Sequence, residues 1–400
     1  MAHGRRLSNW IEGYLKFTEN TESPKSYHLW VAISCIASAL QRRVFQRWGH
    51  DKIYPNQYIV LVGPSGQARK GAAISIGKSL VRDVNIPIVG QDNSIEAIIR
   101  DVRLAVSSFQ NPETGMPQFQ SAVSCFSDEF AVFTGQQNTR LLSYLTEWWE
   151  SLDNWKRTTK NMGTDDIVGI CVNLLAATAP DWIPYILPKE AIGGGFTSRC
   201  MFIVENRKGR TIADPNAFEI PKRLREDLLY DLEQMTLLTG EAHFDAEAHE
   251  IYCAWYEEQD RKIAAGQIEV RDPAFMGYYS RKATHLKKVA VALSVAERSD
   301  LVINGEHVRR ALSLLSGVES TMSQVYAGIG KAKYAEETDK ILDYMKRNGK
   351  VTKGQLLKDF YRNIDEPGLE GVMKILQEMG FVKRHTDYNA GLTVYEYAIK

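Results

Sequence analysis

One stretch decides how the rest of the chain is interpreted: Ile59-Val60-Leu61-Val62-Gly63-Pro64-Ser65-Gly66-Gln67-Ala68-Arg69-Lys70-Gly71-Ala72-Ala73-Ile74. It passes from a short apolar run, which suits a buried strand, through glycines and a basic pair into residues suited to the start of a helix. Glycines let backbone N–H groups turn toward a phosphate, and the amino terminus of a helix favours an anion. The stretch therefore predicts a strand, a phosphate-binding loop and a helix.

The loop departs from the usual phosphate-binding pattern in two places. The sixth residue after Gly63 is Arg69, so Lys70 lies one position later than the usual lysine. The next position, where a Ser or Thr hydroxyl would bind Mg²⁺, holds Gly71, and Ala72 follows it. Two interpretations stay open at this point: a nucleotide site, and a glycine-rich turn without a ligand.

Composition sets limits on the class of protein. The 400 residues are 44% hydrophobic and 24% charged, which is typical of a globular chain with two or three domains. The 49 Lys and Arg residues balance 49 Asp and Glu residues, which excludes a simple, strongly basic nucleic-acid binder. The five cysteines form no C-x-x-C pair, which favours a reducing compartment without structural zinc. Without a membrane span or a signal-peptide core in the sequence, we expect a cytoplasmic protein.

Two consecutive carboxylates, Asp128 and Glu129, follow a mainly apolar run at residues 122–127. Nucleotide hydrolysis uses such a pair, because the first acid can hold Mg²⁺ and the second can orient the attacking water. The same pair is common in solvated loops. Its position downstream of the glycine loop is what makes it a candidate for catalysis.

Further polar residues lie close to two later apolar runs, near the end of the first run and just before the second. Residues 167–177 suit a strand buried on both faces, and Asn173 and Thr178 lie near its end. Their side chains can reach a γ-phosphate, or can simply satisfy neighbouring backbone groups. Arg199 follows a run of glycines and directly precedes another apolar run. Because the glycines can act as a hinge, its guanidinium can reach a nucleotide that is bound to a neighbouring subunit.

A basic, polar segment contains Lys156, Arg157 and Lys160. In a hairpin that points into the pore of a ring, these three side chains would bind the DNA backbone. A surface loop without a nucleic-acid role is an equal alternative.

The order of elements predicts four regions. They are an N-terminal helical region (1–50), an α/β core (51–205), a helical insertion with a lid (206–330) and a C-terminal unit (331–400). In the C-terminal unit, three helices followed by a strand hairpin are typical of a winged helix. Residues 334–400 contain 11 basic and 11 acidic residues, so DNA binding and protein docking both stay open for it.

Taken together, the order of these motifs resembles the AAA+ ATPase cores of the minichromosome-maintenance replicative helicases. It is more similar still to the primase/helicase-like ATPases of phage and plasmid replication modules. The resemblance covers roughly residues 7–400. Its most family-like segments are Tyr27-His28-Leu29-Trp30, Ile53-Tyr54-Pro55-Asn56, residues 63–73 and residues 279–290.

The resemblance implies a fold and a set of site residues. The implied fold is an α/β AAA+ P-loop ATPase core with N-terminal helices, a helical lid and a C-terminal winged helix. The implied ATP-binding loop comprises Gly63, Gly66, Lys70 and Gly71, with Pro64, Ser65, Arg69 and Ala72 beside them. The other implied roles are Asp128 for Mg²⁺, Glu129 for water activation, Asn173 as sensor 1, Arg199 as an arginine finger acting across an interface, and Arg281 as sensor 2 on the lid.

The resemblance also implies a six-membered ring that binds ATP between subunits and moves along DNA through its pore. Our leading hypothesis is therefore an ATP-dependent DNA motor, a hexameric replicative helicase of a phage or mobile element, located in the host cytoplasm if phage-encoded. A primase or another replication protein is a candidate partner. The alternative is a nucleotide-binding ring that loads or recruits replication proteins with little hydrolysis, which the glycine after Lys70 favours. A third hypothesis is a DNA-binding regulator with a decayed ATPase.

Overall fold

The computed structural model describes residues 4–90, 94–159, 163–188, 191, 195–267, 273–326, 335–361, 363–387 and 392–398. The chain divides into two compact units, Met1–Gly328 and Ile329–Lys400. The sequence placed a boundary after residue 330, two residues later. The structure does not divide the first unit further into the three regions that the sequence suggested.

The first unit mixes helices and strands along its whole length. Its helices are α1 (Trp10–Phe17), α2 (Lys25–Leu40), α3 (Lys70–Asp83), α4 (Ile95–Leu104), α5 (Phe130–Thr134), α6 (Thr139–Trp148), α7 (Ile183–Ile186), α8 (Lys222–Thr236), α9 (Ala246–Ala264), α10 (Pro273–Glu297) and α11 (Gly305–Tyr326). Its strands are β1 (Val44–Trp48), β2 (Asp51–Ile53), β3 (Tyr58–Val62), β4 (Ile88–Val89), β5 (Val106–Gln110), β6 (Pro117–Ser127), β7 (Asn154–Thr159), β8 (Gly163–Val168), β9 (Ile170–Thr178), β10 (Cys200–Val204), β11 (Gly240–Glu241), β12 (His243–Phe244) and β13 (Val302–Ile303). Short 3₁₀ turns occur at Pro180–Trp182, Thr197–Arg199 and Pro215–Ala217.

A parallel sheet forms the centre of this unit. Its strand order is β10-β3-β9-β6-β4, with all four pairings parallel, and β5 is added to β6 in the antiparallel direction. Every residue of β3 and of β9 is buried, as expected for strands covered on both faces. The predicted α/β class with a parallel sheet is therefore confirmed. Because Val62 pairs with both Thr178 and Val204, the carboxyl ends of three strands lie together at one edge.

Helices α2 and α10 share one hydrophobic core with this sheet. Helix α2 is apolar on nearly all sides, and Trp30, Ile33 and Ile36 pack in the same cluster as Leu286 and Val289 of α10. A helix that is apolar all round is expected to be buried. Helix α10, which the sequence assigned to a lid, is thus part of the main core rather than a separate cover.

Two adjacent lysines of α10 are buried in this core. Lys288 Nζ donates hydrogen bonds to Asn56 O (2.9 Å) and Asn56 Oδ1 (2.7 Å), which ties α10 to the segment before β3. Lys287 Nζ lies 3.6 Å from the ring centre of Trp48 and 3.3 Å from that of Tyr252, and no hydrogen-bond partner for it is present in the described part of the chain. Burial lowers the pKa of each lysine to about 7.

Replacing Lys287 with methionine is expected to stabilise the first unit at pH 7 by about 1–3 kcal/mol, because the burial cost of an ammonium exceeds its attraction to the rings. Burial lowers the pKa of Lys287 from 10.5 to about 7, so between these pH values the unfolded chain binds more protons than the folded chain. The free energy of unfolding of the wild type therefore rises with pH across this window, and the advantage of Lys287→Met shrinks. Thermal unfolding at pH 7 and pH 9.5 measures both effects.

The matched control is Lys222→Met, which removes an exposed lysine from α8 and should change neither the melting temperature nor its pH dependence. A destabilisation by Lys287→Met that is equal at both pH values would contradict the burial argument. It would mean that the contacts between the ammonium and the rings dominate.

The second unit has its own sheet and core. It contains α12 (Ala335–Asn348), β14 (Lys350–Thr352), α13 (Lys353–Phe360), α14 (Glu366–Glu378), β15 (Val382–Asp387) and β16 (Leu392–Tyr397). The strands form an antiparallel sheet in the order β14-β16-β15. Ile341, Leu356 and Leu369, one from each helix, are buried in a cluster of their own. Strand β14 was not expected from the sequence, which predicted the three helices and the hairpin.

Among the described helices of both units, none is long and apolar enough to span a membrane.

Candidate functional site

The glycine loop lies between β3 and α3, at the carboxyl edge of the parallel sheet. Gly63 is packed so closely that a Cβ there would overlap the carbonyl oxygen of Glu205 and lie 2.7 Å from the hydroxyl of Tyr27. Gly66 has a φ of +71°, a left-handed conformation that favours glycine. Both glycines are therefore required by the backbone path of the loop.

Helix α3 presents free backbone donors to this loop. The residue before it, Arg69, makes no side-chain cap, and no acid lies in the first turn. The N–H groups of a first helical turn have no intrahelical acceptors, and they carry the positive end of the helix dipole. The start of α3, at Lys70 and Gly71, is therefore suited to bind an anion.

Lys70 is folded back over the loop. Its Nζ donates hydrogen bonds to the carbonyl oxygens of Gly63 (2.5 Å) and Pro64 (3.2 Å). Partial burial lowers the pKa of Lys70, and the nearby charge of Glu129 raises it. A phosphate entering the loop would offer this ammonium charged oxygens in place of the two carbonyls.

The two predicted carboxylates reach the same place from the neighbouring part of the sheet. Asp128 and Glu129 directly follow β6, and both are exposed to solvent. Asp128 Oδ1 lies 3.6 Å from the position that a Cβ of residue 71 would occupy, so this carboxylate faces the first turn of α3. The hydroxyl of Ser127 donates a hydrogen bond to the carbonyl oxygen of Glu129 (2.8 Å), which fixes the start of the following turn.

These groups line one cavity of about 410 Å³. The loop and α3 contribute Ser65, Gly66, Arg69, Lys70, Gly71 and Ala72, the acid segment contributes Asp128, Glu129, Phe130 and Ala131, and the end of β9 and the turn after it contribute Ala177, Thr178, Ala179 and Trp182. The structure thus brings together the predicted loop residues from Ser65 to Ala72 and both carboxylates. Gly63 and Pro64 border this group through their contacts with Lys70.

Asn173 requires a correction. It pairs with Ser124 in the middle of the sheet, and its amide donates to the hydroxyls of Ser34 (2.9 Å) and Ser38 (3.0 Å) of α2. Thr178 lies five positions further along the strand, about 16 Å away at the usual rise per residue. The prediction that Asn173 reaches the γ-phosphate is therefore wrong, and Thr178 is the polar residue of β9 that lines the cavity.

Arg69 borders the cavity, but its guanidinium is engaged elsewhere. Its Nε pairs with Glu22 Oε2 at 2.8 Å, and the other oxygen of Glu22 pairs with Lys208 at 2.6 Å. Lys70 is thus the loop cation that is free to turn toward a phosphate, and Arg69 supports the loop from outside.

Arg199 lies at the opposite, amino edge of the sheet, immediately before β10. It is buried, and its Nη2 pairs with Glu150 Oε1 at 2.6 Å while Nη1 donates to Gly195 O at 3.0 Å. The adjacent turn is held by α10, because His285 Nε2 lies 3.0 Å from Ser198 O. Burial lowers the pKa of His285 to about 4, so the ring is neutral and donates this hydrogen bond.

Arg281 belongs to the same edge as Arg199. It lies one helical turn before His285 on α10, and its pKa is lowered by partial burial and by the charge of Arg199, while Glu150 raises it. No hydrogen-bond partner for Arg281 Nε occurs among the described residues. Arg281 was predicted to bind the nucleotide as sensor 2 on the lid. This prediction is corrected, because Arg281 is not among the residues that line the described cavity and lies with Arg199 at the amino edge.

The predicted basic hairpin exists as β7 and β8, but its charges are partly used within the fold. Lys156 is exposed and pairs with Asp166 on the opposite strand at 2.9 Å. Arg157 alternates to the inner face, where it is 8% exposed and pairs with Glu96 of α4 at 3.0 Å. Its predicted contact with DNA is therefore corrected, and Lys160 lies outside the described residues.

The sequence missed several residues of these sites. Trp182 lines the cavity with about half of its surface exposed, and its ring lies 6.2 Å from that of Tyr185. Glu22, which pairs with Arg69, and Glu150, which pairs with Arg199, are each far in sequence from the arginine that they hold. Trp182 lies four residues after the end of β9, and in the sequence this closeness to a strand end was the feature that could have indicated Trp182.

Comparisons with known proteins add no family to this description: no protein-family model matches the chain, and no curated protein matches it significantly. The fold and the cavity define a mixed α/β protein with a cationic loop and two acids at the carboxyl edge of its parallel sheet. In the described residues, no cluster of three or more His, Cys, Asp or Glu side chains is suited to hold a metal. A divalent cation here would take most of its ligands from a phosphate group and from water.

Proposed function

We propose that this protein binds ATP with Mg²⁺ in the cavity at the carboxyl edge and hydrolyses it, as an ATPase of the AAA+ class. The observation that carries the proposal is that Lys70, the uncapped start of α3 and the carboxylates of Asp128 and Glu129 meet in one cavity. Open parallel sheets bind ligands at this edge. A glycine-rich turn without a ligand would not need a lysine and two acids from another strand beside it.

In the proposed reaction, the loop N–H groups and Lys70 bind the phosphates, and Lys70 exchanges its two carbonyl partners for phosphate oxygens. The carboxylate oxygens of Asp128 are hard ligands of the kind that Mg²⁺ prefers. The cation would neutralise charge on the phosphates. Glu129 accepts a proton from the attacking water while the oxygen atom of this water forms a bond to the γ-phosphorus. The bond between this phosphorus and the bridging oxygen breaks, and ADP leaves.

The proposal includes a ring of six identical subunits. Arg199 and Arg281 lie at the edge opposite the cavity, and among the described residues Glu150 is the acid that pairs with Arg199 and acts on the charge of Arg281. A head-to-tail contact between subunits that closes into a ring would bring this edge to a neighbour's cavity. There the phosphates of the bound ATP would replace Glu150 as the partner of Arg199.

Translocation on DNA is the further part of the proposal, and it rests on the resemblance to replicative helicases. A second candidate, a nucleotide-binding ring that recruits replication proteins such as a primase, is favoured by a specific observation. Helix α14 carries three glutamates and one lysine, its exposed surface includes Ile375, and the residue that follows it, Met379, is also exposed. Such a winged-helix surface suits a protein partner better than a DNA phosphate backbone.

The experiment that tests the proposal uses the full chain with a slowly hydrolysed ATP analogue and forked DNA, imaged as single particles, beside an assay of ATP hydrolysis. We expect a closed ring with one DNA strand in its pore and hydrolysis that DNA stimulates. A ring with duplex on its outer face and little hydrolysis would favour the recruiting protein. A protein that binds no nucleotide at all would contradict both.

A further inference from the structure

The position after Lys70 is the least expected feature of the cavity. Gly71 has no side chain, and a Cβ placed on it would lie in ordinary van der Waals contact with Asp128, 3.6 Å from Oδ1 and 3.7 Å from Cγ. A serine hydroxyl at residue 71 would thus point to the carboxylate that is the candidate cation ligand. The structure has space for this hydroxyl, and the chain does not provide it.

The first turn of α3, which the structure describes in full, offers no other hydroxyl in its place. Ser65 and Thr178 are the hydroxyl residues among those that line the described cavity, and neither belongs to α3. The next residue of α3, Ala72, is exposed and has no polar atom on its side chain. From the first turn of this helix, a cation would therefore receive no side-chain ligand.

This arrangement has a consequence for the cation. Mg²⁺ needs near-ideal octahedral geometry and usually keeps several waters, so each protein ligand is important for coupling the ion to the protein. With Asp128 as its candidate carboxylate ligand and no hydroxyl ligand from the first turn of α3, the ion would be held mainly by the nucleotide. Chelating the metal would then remove little of the binding free energy between protein and nucleotide.

We propose that Gly71 makes nucleotide binding by this protein nearly independent of Mg²⁺, and that a hydroxyl at position 71 would create the missing coupling between the cation and α3. This inference rests on the proposed function, because it takes ATP or ADP as the ligand of the cavity. It identifies residue 71 as the position that sets how strongly the cation contributes to binding.

The test compares wild type, Gly71→Ser and Gly71→Ala. Dissociation constants for a fluorescent ADP analogue are measured with Mg²⁺ and with EDTA. In wild type and Gly71→Ala the two values should agree within about threefold, whereas Gly71→Ser should bind about tenfold more tightly with Mg²⁺, the value of one added polar contact. The alanine variant is the matched control, because it adds the Cβ without the hydroxyl.

A second readout follows the cation itself. Electron paramagnetic resonance of Mn²⁺ with ADP should show tighter binding of the ion to Gly71→Ser than to wild type, and the gain should disappear when Asp128→Asn is added. Thermal unfolding verifies that each variant is folded, which the ordinary contact distances at residue 71 predict.

A wild type that loses tenfold or more in affinity on chelation would overturn the inference, as would a Gly71→Ser variant without any gain. In both cases nucleotide still binds, so the proposed function survives. If none of the three proteins binds nucleotide in either buffer, the proposed function itself fails, and the inference fails with it.

Discussion

Replacing Lys70 with alanine is expected to weaken ATP binding by about 10²-fold, because charge-assisted hydrogen bonds to phosphate contribute about 1.5–3 kcal/mol. The ammonium lies at the start of α3 and contacts the loop carbonyls of Gly63 and Pro64, within reach of any phosphate that the loop encloses. Titration calorimetry of wild type and Lys70→Ala with a slowly hydrolysed analogue measures the loss.

The matched control is the neighbouring cation. Arg69→Ala removes the same charge one residue earlier, but this guanidinium pairs with Glu22, so we expect a change in affinity of less than about threefold. A larger loss for Arg69→Ala than for Lys70→Ala would contradict the assignment. It would mean that Arg69 leaves Glu22 and binds the phosphate, and that the loop departs from the usual pattern in its cation as well.

The grouping of Lys70 with the two acids could be predicted from the sequence because each of its parts is local. The glycine loop and Asp128 with Glu129 each follow an apolar run, and the carboxyl ends of parallel strands meet at one edge of a sheet. Knowing that these runs are parallel strands is enough to bring Lys70 and the two acids together. The departure at Gly71 was also visible in the sequence, but the carboxylate that faces it was not.

Asn173 shows where this reasoning stops. A polar residue late in an apolar run can lie at the strand end or inside the strand, and the sequence does not give the last residue of β9. The partners of Asn173 are Ser34 and Ser38, more than a hundred residues earlier on α2. Only the packing of α2 on the sheet shows that these hydroxyls face the amide.

The burial of charged residues escaped the sequence for the same reason. Arg157 was expected in an exposed hairpin or surface loop, and nothing in the sequence pattern indicated that Lys287 and Lys288 are buried, because charged side chains are rarely buried without partners. Their partners are distant in sequence: Glu96 for Arg157, and the carbonyl of Asn56 for Lys288. The alternation of a strand or the period of a helix indicates two possible faces, and tertiary packing decides which face is inside.

The structure also changes the interpretation of Arg199. A glycine-flanked arginine such as Arg199 was predicted to be offered to a neighbour, but in the isolated chain it is buried and paired with Glu150. The two statements are compatible if a neighbour's phosphates compete with this carboxylate. In the proposed ring, this ion pair would have to open when subunits assemble with ATP between them.

Replacing Glu129 with glutamine is expected to reduce ATP hydrolysis by about 10²–10⁴-fold, the usual contribution of a positioned general base, while nucleotide stays bound. The amide has nearly the same shape as the carboxylate but cannot accept the proton of the attacking water. Binding should be retained or slightly tightened, because Glu129 also interacts with Lys70 and its negative charge repels phosphate. Phosphate release at saturating ATP, measured beside the dissociation constant of the analogue, separates the two effects.

Two controls make the result specific. Glu250→Gln, at an exposed position of α9 outside the cavity, should hydrolyse ATP at the wild-type rate. Lys70→Ala should lose binding and hydrolysis together, whereas Glu129→Gln should lose hydrolysis alone and should accumulate as the ATP-bound protein. If Glu129→Gln hydrolyses ATP as fast as wild type, another group activates the water, and the acid that follows Asp128 has a structural role in the turn before α5.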